Sequence, residues 1–230
     1  MAERELHGAV VAVVGASGGL GSAVCAELTA RGATVVACGP HPDRIAAAGV
    51  VAAAVVELDL RDPSAGDRLV GAVADLGGRL DGLVNAAGVV AFGDLVDTDD
   101  AVIEELFLTD VVGPLWLLKR VVPLLAESKG FVAQLSAVVA EQPMAGMAAY
   151  SSAKAALTGA DTALVRELRR KGITVCDVRP PHTETGLAAR PIAGEAPRLK
   201  EGLVPSVVAA AVVGAVVAGA TEVPAAAFGT

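Results

Sequence analysis

Aromatic residues are scarce in this chain. Its 230 residues include four Phe, one Tyr and one Trp, which leaves little aromatic lining for a flat or sugar-like ligand. The three cysteines, Cys25, Cys38 and Cys176, are odd in number, far apart and set in apolar runs. They assemble neither a disulfide framework nor a CxxC metal site, and a reducing, cytoplasmic setting is the expectation. His7, His41 and His182 share no spacing that puts two on one helix face, so no metal site is expected. Positive charge is in deficit: 18 Lys and Arg against 26 Asp and Glu give a net charge of −8. That balance offers no general attraction to nucleic acid or to an anionic membrane. The first residues lack the length and flanks of a signal peptide. Leu203–Thr221 runs nineteen residues without a charge, long enough for a membrane span. Its Ala, Val and Gly content, and Pro205-Ser206 as a helix start inside it, instead predict a buried helix.

What is present is apolar residue: 53% of the chain is hydrophobic, too much for disorder and enough for a sizeable core. Short Val-rich runs alternate with longer segments of helical period. The expected strands are Ala9–Val14, Thr34–Cys38, Val51–Leu58, Gly82–Asn85, Phe131–Leu135, Thr174–Val178 and Glu222–Ala226. The expected helices are Gly19–Ala30, Asp43–Ala47, Pro63–Leu76, Asp99–Ala126, Ala148–Arg170 and Ser206–Ala218. Continuously apolar strands between helices predict an α/β fold, a doubly wound parallel sheet of about seven strands covered on both faces. No linker or repeat divides residues 1–230, so one domain is expected. The stretch 180–202, with Pro180, Pro181, Pro191 and Pro197, holds too many breakers for a long helix and is expected to be a mobile loop beside the site.

The first strand runs into Gly15-Ala16-Ser17-Gly18-Gly19-Leu20-Gly21, and a helical period follows at once. Glycines in such a turn let backbone approach a pyrophosphate, whose charge the helix N-terminus favours. A second pair points to chemistry. Tyr150 and Lys154 lie four apart on an expected helix and share a face, so the ammonium can favour the phenolate and make the phenol an acid and base.

The Gly-xxx-Gly-x-Gly spacing resembles that of the short-chain dehydrogenase/reductase family, with Val14 where a Thr is usual. Asp59-Leu60 looks like the family's adenine-contacting pair. Asn85-Ala86-Ala87-Gly88 looks like its turn after the fourth strand, and Tyr150-Ser151-Ser152-Ala153-Lys154 like its Tyr-xxx-Lys signature. The resemblance spans about Leu6 to Leu187. It implies a Rossmann-like fold, a nicotinamide cofactor, a small carbonyl or alcohol substrate, and a homodimer or homotetramer. It also implies cofactor contacts from Gly15, Ser17, Gly18, Gly19, Leu20 and Gly21, from Asp59 and Leu60, and from Asn85 through Gly88. Tyr150, Lys154, Pro180, Thr183 and Thr185 complete that set.

Three further positions depart from the family. Thirteen residues before Tyr150, where a Ser is expected to hold the substrate oxygen, stands Ala137, with Ser136 one position early. A one-residue shift along a strand turns a side chain to the other face, so Ser136 serves only if the strand end is bulged; the regular register needs nothing added. Asp110 stands where the family has an Asn. It is expected to bind a relay water, to pair with Lys154 and change its charge balance, or simply to sit at a helix bend beside Gly113-Pro114. Pro181 replaces a Gly after the sixth strand and removes one N–H. Met144, Met147, Ala137 and His182 are candidates for the substrate wall.

The second strand ends in Ala37-Cys38-Gly39-Pro40, without the carboxylate that an NAD-preferring member places at the ribose. With Arg44 and His41 nearby, NADP(H) is favoured over NAD(H). The leading expectation is a reductase or dehydrogenase of a carbonyl/alcohol pair, with Tyr150 as general acid/base and Lys154, Ser136 and Asp110 in its catalytic set. A cofactor-binding protein of low activity, or nonredox dehydration or epimerisation at the same site, are the competing readings.

Overall fold

The computed structural model describes residues 3–229. Its centre is a parallel seven-stranded sheet in the order β3-β2-β1-β4-β5-β6-β7. The strands are β1 Val10–Val14, β2 Thr34–Gly39, β3 Ala54–Glu57, β4 Gly82–Asn85, β5 Phe131–Leu135, β6 Thr174–Val178 and β7 Glu222–Val223. The helices are α1 Gly19–Ala30, α2 Pro42–Ala47, α3 Ala65–Asp75, α4 Asp100–Phe107, α5 Gly113–Ser128, α6 Ala148–Arg169 and α7 Pro205–Ala218.

Alternation along each strand feeds two cores. Val11 and Val13 of β1 join Val24 and Leu28 of α1 and Val208 and Val212 of α7 on one face. Ala12 and Val14 join Leu69 of α3, Leu117 and Val121 of α5 and Leu168 of α6 on the other. Strands β1, β2, β4, β5 and β6 are buried on both sides, which is why their runs carry no polar alternation, whereas the edge strands β3 and β7 keep exposed positions. The uncharged run Leu203–Thr221 contributes α7, whose Val208, Val212, Val213 and Val216 are buried against α1 and the sheet. Among the described residues no helix is long and apolar enough to cross a membrane.

Several boundaries differ from the sequence expectation. β3 covers only Ala54–Glu57 because it pairs with β2 alone, over Val36–Gly39, and the more N-terminal Val51 is 70% exposed. β7 stops at Val223, since Pro224 cannot continue a ladder and a short 3₁₀ turn follows. The long helix expected over Asp99–Ala126 is interrupted by a π-helical turn, Leu108–Val112, between α4 and α5. Pro114 has no N–H to return to the carbonyl of Asp110, so the regular ladder fails there and the turn widens.

The order of the sheet reverses between β1 and β4, and the crevice outside their carboxyl ends is where a doubly wound fold binds ligands. A third apolar cluster closes that end of the sheet, built from Val90, Phe92, Leu106, Val139, Met147 and Tyr150, with Leu187 and Ala188 packed against it.

Candidate active site

A cavity of about 490 Å³ opens at this crevice. Its floor is the turn after β1. A Cβ on Gly21 would stand 2.1 Å from the Gly15 carbonyl oxygen, and one on Gly19 would stand 2.9 Å from Thr185 Cα. Only glycine permits the fold of that turn and its close approach to the segment after β6. No side chain caps α1 and its first turn carries no acidic residue, so the helix N-terminus presents bare backbone N–H groups beside the cavity. The donor set of this cradle fits the pyrophosphate of a dinucleotide.

Gly15, Ser17, Gly18, Gly19 and Leu20 line the cavity, followed by Asp59, Leu60, Ala86, Ala87 and Gly88. Ser136, Ala137, Met144, Met147, Tyr150 and Lys154 form the far wall, and Pro180, His182, Thr183 and Thr185 the rim. Three expected site residues stand behind that surface. Gly21 is packed on Gly15. Asn85 is 1% exposed, donating to Gln134 Oε1 at 3.1 Å and accepting the Ala87 N–H at 3.3 Å, so it shapes the turn without facing the cavity. Asp110 is also 1% exposed, in the π turn.

Tyr150 and Lys154 project from one face of α6, with Lys154 Nζ 5.8 Å from the centre of the Tyr150 ring. Lys154 donates to the Leu135 carbonyl at 3.3 Å and forms a buried ion pair with Asp110 Oδ2 at 3.4 Å. The other Asp110 oxygen accepts the Val89 N–H at 2.9 Å. Asp110 thus pairs with Lys154 and also sits at the helix bend before Gly113-Pro114. Burial raises the Tyr150 phenol above its ordinary value, Lys154 opposing and Asp110 adding to the rise. Burial alone depresses Lys154, but the charges of Asp110 and Tyr150 more than offset it, so the ammonium is raised overall.

The strand end is regular. Leu135 pairs with Val178, and the next N–H, that of Ser136, donates to the Val178 carbonyl. The Ser136 hydroxyl is turned to the Asp177 carboxylate, whereas Ala137 packs against the cluster containing Tyr150. Asp177 is also held by Arg179 at 2.8 Å, whose guanidinium reaches Glu141 and Glu222.

Other groups were not visible as site residues in the sequence. Arg61 lines the Asp59 end of the cavity together with Arg44. It grips Asp59 at 2.6 Å and Glu105 at 3.1 Å, and its hydrogen bonds hold Asp59 below the usual carboxylate range. Only its place directly after Asp59-Leu60 hinted at it. Gln134 of β5 links Asn85 to Asp161 of α6, donating to Asp161 Oδ1 at 2.7 Å. Polar residues inside an apolar strand and helix were the available signal. The segment after β6 is held at several points: Ile192 N–H donates to Val90 and Phe92 N–H to Ala193, Thr183 bridges to Leu203, and Glu184 accepts the Gly202 N–H at 2.7 Å. His182 lies 3.3 Å from Glu184. Among the described residues no cluster of three or more His, Cys, Asp or Glu is placed to hold a metal ion.

The family model described as short chain dehydrogenase matches residues 9–195. An uncharacterized oxidoreductase of Staphylococcus epidermidis is 30% identical over 195 residues, covering 83% of this chain and 85% of that one. Among solved structures, a short-chain dehydrogenase from Streptomyces avermitilis superposes with a TM-score of 0.83 at 28% identity, covering 94% of this chain and 88% of that one. A short chain dehydrogenase from Burkholderia cenocepacia, solved in complex with NADP, also gives 0.83 at 22% identity, covering 96% and 90%, a likeness of fold. The chain belongs to the short-chain dehydrogenase family and is an NAD(P)(H)-dependent oxidoreductase of that type.

Proposed function

We propose that this protein interconverts a carbonyl and an alcohol with NADP(H) in preference to NAD(H), Tyr150 serving as the general acid/base. The observation that carries this reading is the pairing of Tyr150 with Lys154 on one face of α6, at the wall of a cavity whose other end is the glycine turn. The turn from Gly15 to Leu20 would hold the pyrophosphate, and Asp59, Leu60 and Ala86 to Gly88 the adenosine side. Thr183 and Thr185 would meet the nicotinamide side, with Tyr150 and Lys154 at its ribose. The bound cofactor supplies a hydride to, or accepts one from, the substrate carbon.

The remaining work belongs to the chain's own groups. The Tyr150 hydroxyl gives a proton to the substrate oxygen in reduction and takes it back in oxidation. Lys154 stands beside the phenol, its Nζ 5.8 Å from the ring centre, and Val90, Phe92, Val139, Met147 and Leu187 keep water from the reacting face. The substrate is a small carbonyl or alcohol resting on Ala137, Met144, Met147 and His182, all of which line the cavity. At the adenosine end, Ala37-Cys38-Gly39-Pro40 carries no carboxylate to repel a 2′-phosphate, and Arg44 and Arg61 line the same end; this supports the NADP(H) preference. Residues 1–230 act as one domain with 180–202 as its substrate loop, which is tied at Ile192, Ala193 and Gly202 rather than free, and the protein works in the cytoplasm as a homodimer or homotetramer.

A second reading is favoured by one observation: Ser136 is bound to Asp177 and Ala137 carries no hydroxyl, so Tyr150 is the one expected side-chain donor to the substrate oxygen. A cofactor-binding protein of low turnover, or a nonredox dehydration or epimerisation, is consistent with that loss. Measuring NADPH and NADH binding together with consumption over a panel of ketones separates the readings. Binding with turnover supports the first, binding alone or product without net cofactor change the second.

A further inference from the structure

Behind Tyr150, one buried ammonium is faced by carboxylates from three elements: Asp110 in the π turn, Asp161 on α6 and Asp177 on β6. They are not equivalent. Asp177 is balanced by Arg179 at 2.8 Å and takes the Ser136 hydroxyl. Asp161 is hydrogen-bonded to Gln134 rather than to Lys154, and burial pushes its carboxyl up to about 7. Asp110 alone makes direct contact with Lys154, at 3.4 Å. Its Oδ2 faces the ammonium and its Oδ1 is anchored on the Val89 N–H; burial pushes this carboxyl up, with Lys154 and the Val89 N–H opposing the rise. From α4, Glu105 also faces this pair, but its carboxylate is engaged by Arg61 at 3.1 Å.

A lone buried ammonium would pull a nearby phenol strongly toward phenolate. An ammonium with a fixed carboxylate beside it presents a dipole instead, whose field at the ring is much weaker. We propose that Asp110 is a positioning residue that neutralises Lys154, so that Tyr150 remains a phenol through the neutral range and the site is set to give a proton to a carbonyl rather than to take one from an alcohol. This rests on the acid/base reading of Tyr150, but the ionic arrangement itself does not. The geometry also explains how the carboxylate is tolerated: the π turn that Pro114 forces carries Asp110 into the interior, where the Val89 N–H and Lys154 satisfy it.

Tyr150 is the chain's only tyrosine, so the phenolate absorbance of the whole protein reports on this one group without cofactor or turnover. In a pH titration of the wild-type chain, phenolate is expected to appear above the ordinary tyrosine value of about 10. In Asp110→Asn, which retains an oxygen for the Val89 N–H, the midpoint is expected to fall by about one unit or more. Glu105→Gln, which leaves Lys154 untouched, is expected to move it much less. An unchanged or raised midpoint in folded Asp110→Asn overturns the proposal. So does a wild-type midpoint below the ordinary value, which needs no variant. If the midpoint falls as expected and the pH profile of alcohol oxidation falls with it, the bias toward reduction is supported. If the midpoint falls but no carbonyl or alcohol is turned over, the Asp110 effect on Tyr150 stands and the acid/base reading of Tyr150 is the part that fails.

Discussion

Ser136 donates its hydroxyl to Asp177 Oδ1 at 2.5 Å, while the backbone of the next residue, Ala137, is extended at φ −169° and ψ 163°. Successive residues of an extended segment face opposite ways, so the hydroxyl is engaged with β6 and the methyl is left to the Tyr150 cluster. Ser136→Ala is therefore expected to leave kcat/KM nearly unchanged. It removes a hydrogen bond to a buried carboxylate, and a loss of about 1–3 kcal/mol in a urea melt is expected. Ala137→Ser is expected to add a donor to the substrate oxygen and to raise turnover on a simple ketone. Steady-state kinetics of the two variants decide the matter: a greater loss from Ser136→Ala than gain from Ala137→Ser reverses the assignment.

Tyr150→Phe keeps the ring, which is 7% exposed in the third apolar cluster, and removes only the hydroxyl. Cofactor affinity is expected to survive, while turnover falls on the order of 10²-fold or more, as for loss of a general acid. Lys154→Ala is expected to weaken both affinity and rate, and it also leaves Asp110 buried without its counter-charge. Titration calorimetry with NADPH, run beside the kinetics, separates the two: wild-type activity in Tyr150→Phe is incompatible with the mechanism, and an unchanged dissociation constant in Lys154→Ala removes the ribose contact.

The strands β4, β5 and β6 and the helix α1 were legible to the residue, because each apolar run ends at a glycine, a turn or a charge. Val51–Ala53 was not, since its composition is strand-like and only the reach of β2 decides how far β3 pairs. The π turn was half visible: Gly113-Pro114 announced a bend, but where the spare carbonyls would go depends on packing against Val89 and Lys154. The glycine turn, Tyr150 and Lys154 could be found because their spacing is local. Asn85 could not be recognised as a wall support, nor Arg61 and Asp161 as neighbours of the site, because Gln134, Glu105 and Asp177 come from distant parts of the chain.

Ile103, Phe107, Leu108 and Trp116 keep part of their surface accessible along α4, the π turn and α5, and Leu115 is 37% exposed. One apolar stripe on these helices already covers the sheet, so a second accessible stripe favours association. Light scattering at micromolar concentration is expected to give a dimer or tetramer of the 22.8 kDa chain, and Leu115→Asp is expected to shift it toward monomer. A wild-type mass near that of one chain removes the prediction.

Asp161 supplies a pH dependence whose sign can be worked out. Burial raises its carboxyl from the ordinary 3.8 to about 7, the Gln134 hydrogen bond opposing, and its Oδ2 has no hydrogen-bond partner. Between those values the folded chain holds a proton that the unfolded chain has released, so this residue's contribution to stability falls as pH rises from about 4 to about 7 and stays low above. Asparagine keeps an oxygen for the Gln134 amide and carries no charge to desolvate. Asp161→Asn is therefore expected to match or trail the wild type near pH 4 and to gain relative to it with rising pH, by on the order of 1–4 kcal/mol by pH 8. Urea melts of both proteins across that range give the comparison directly. A difference between them that does not change with pH means that Asp161 is ionised in the folded protein at low pH, and that Lys154 then faces a second charged carboxylate besides Asp110.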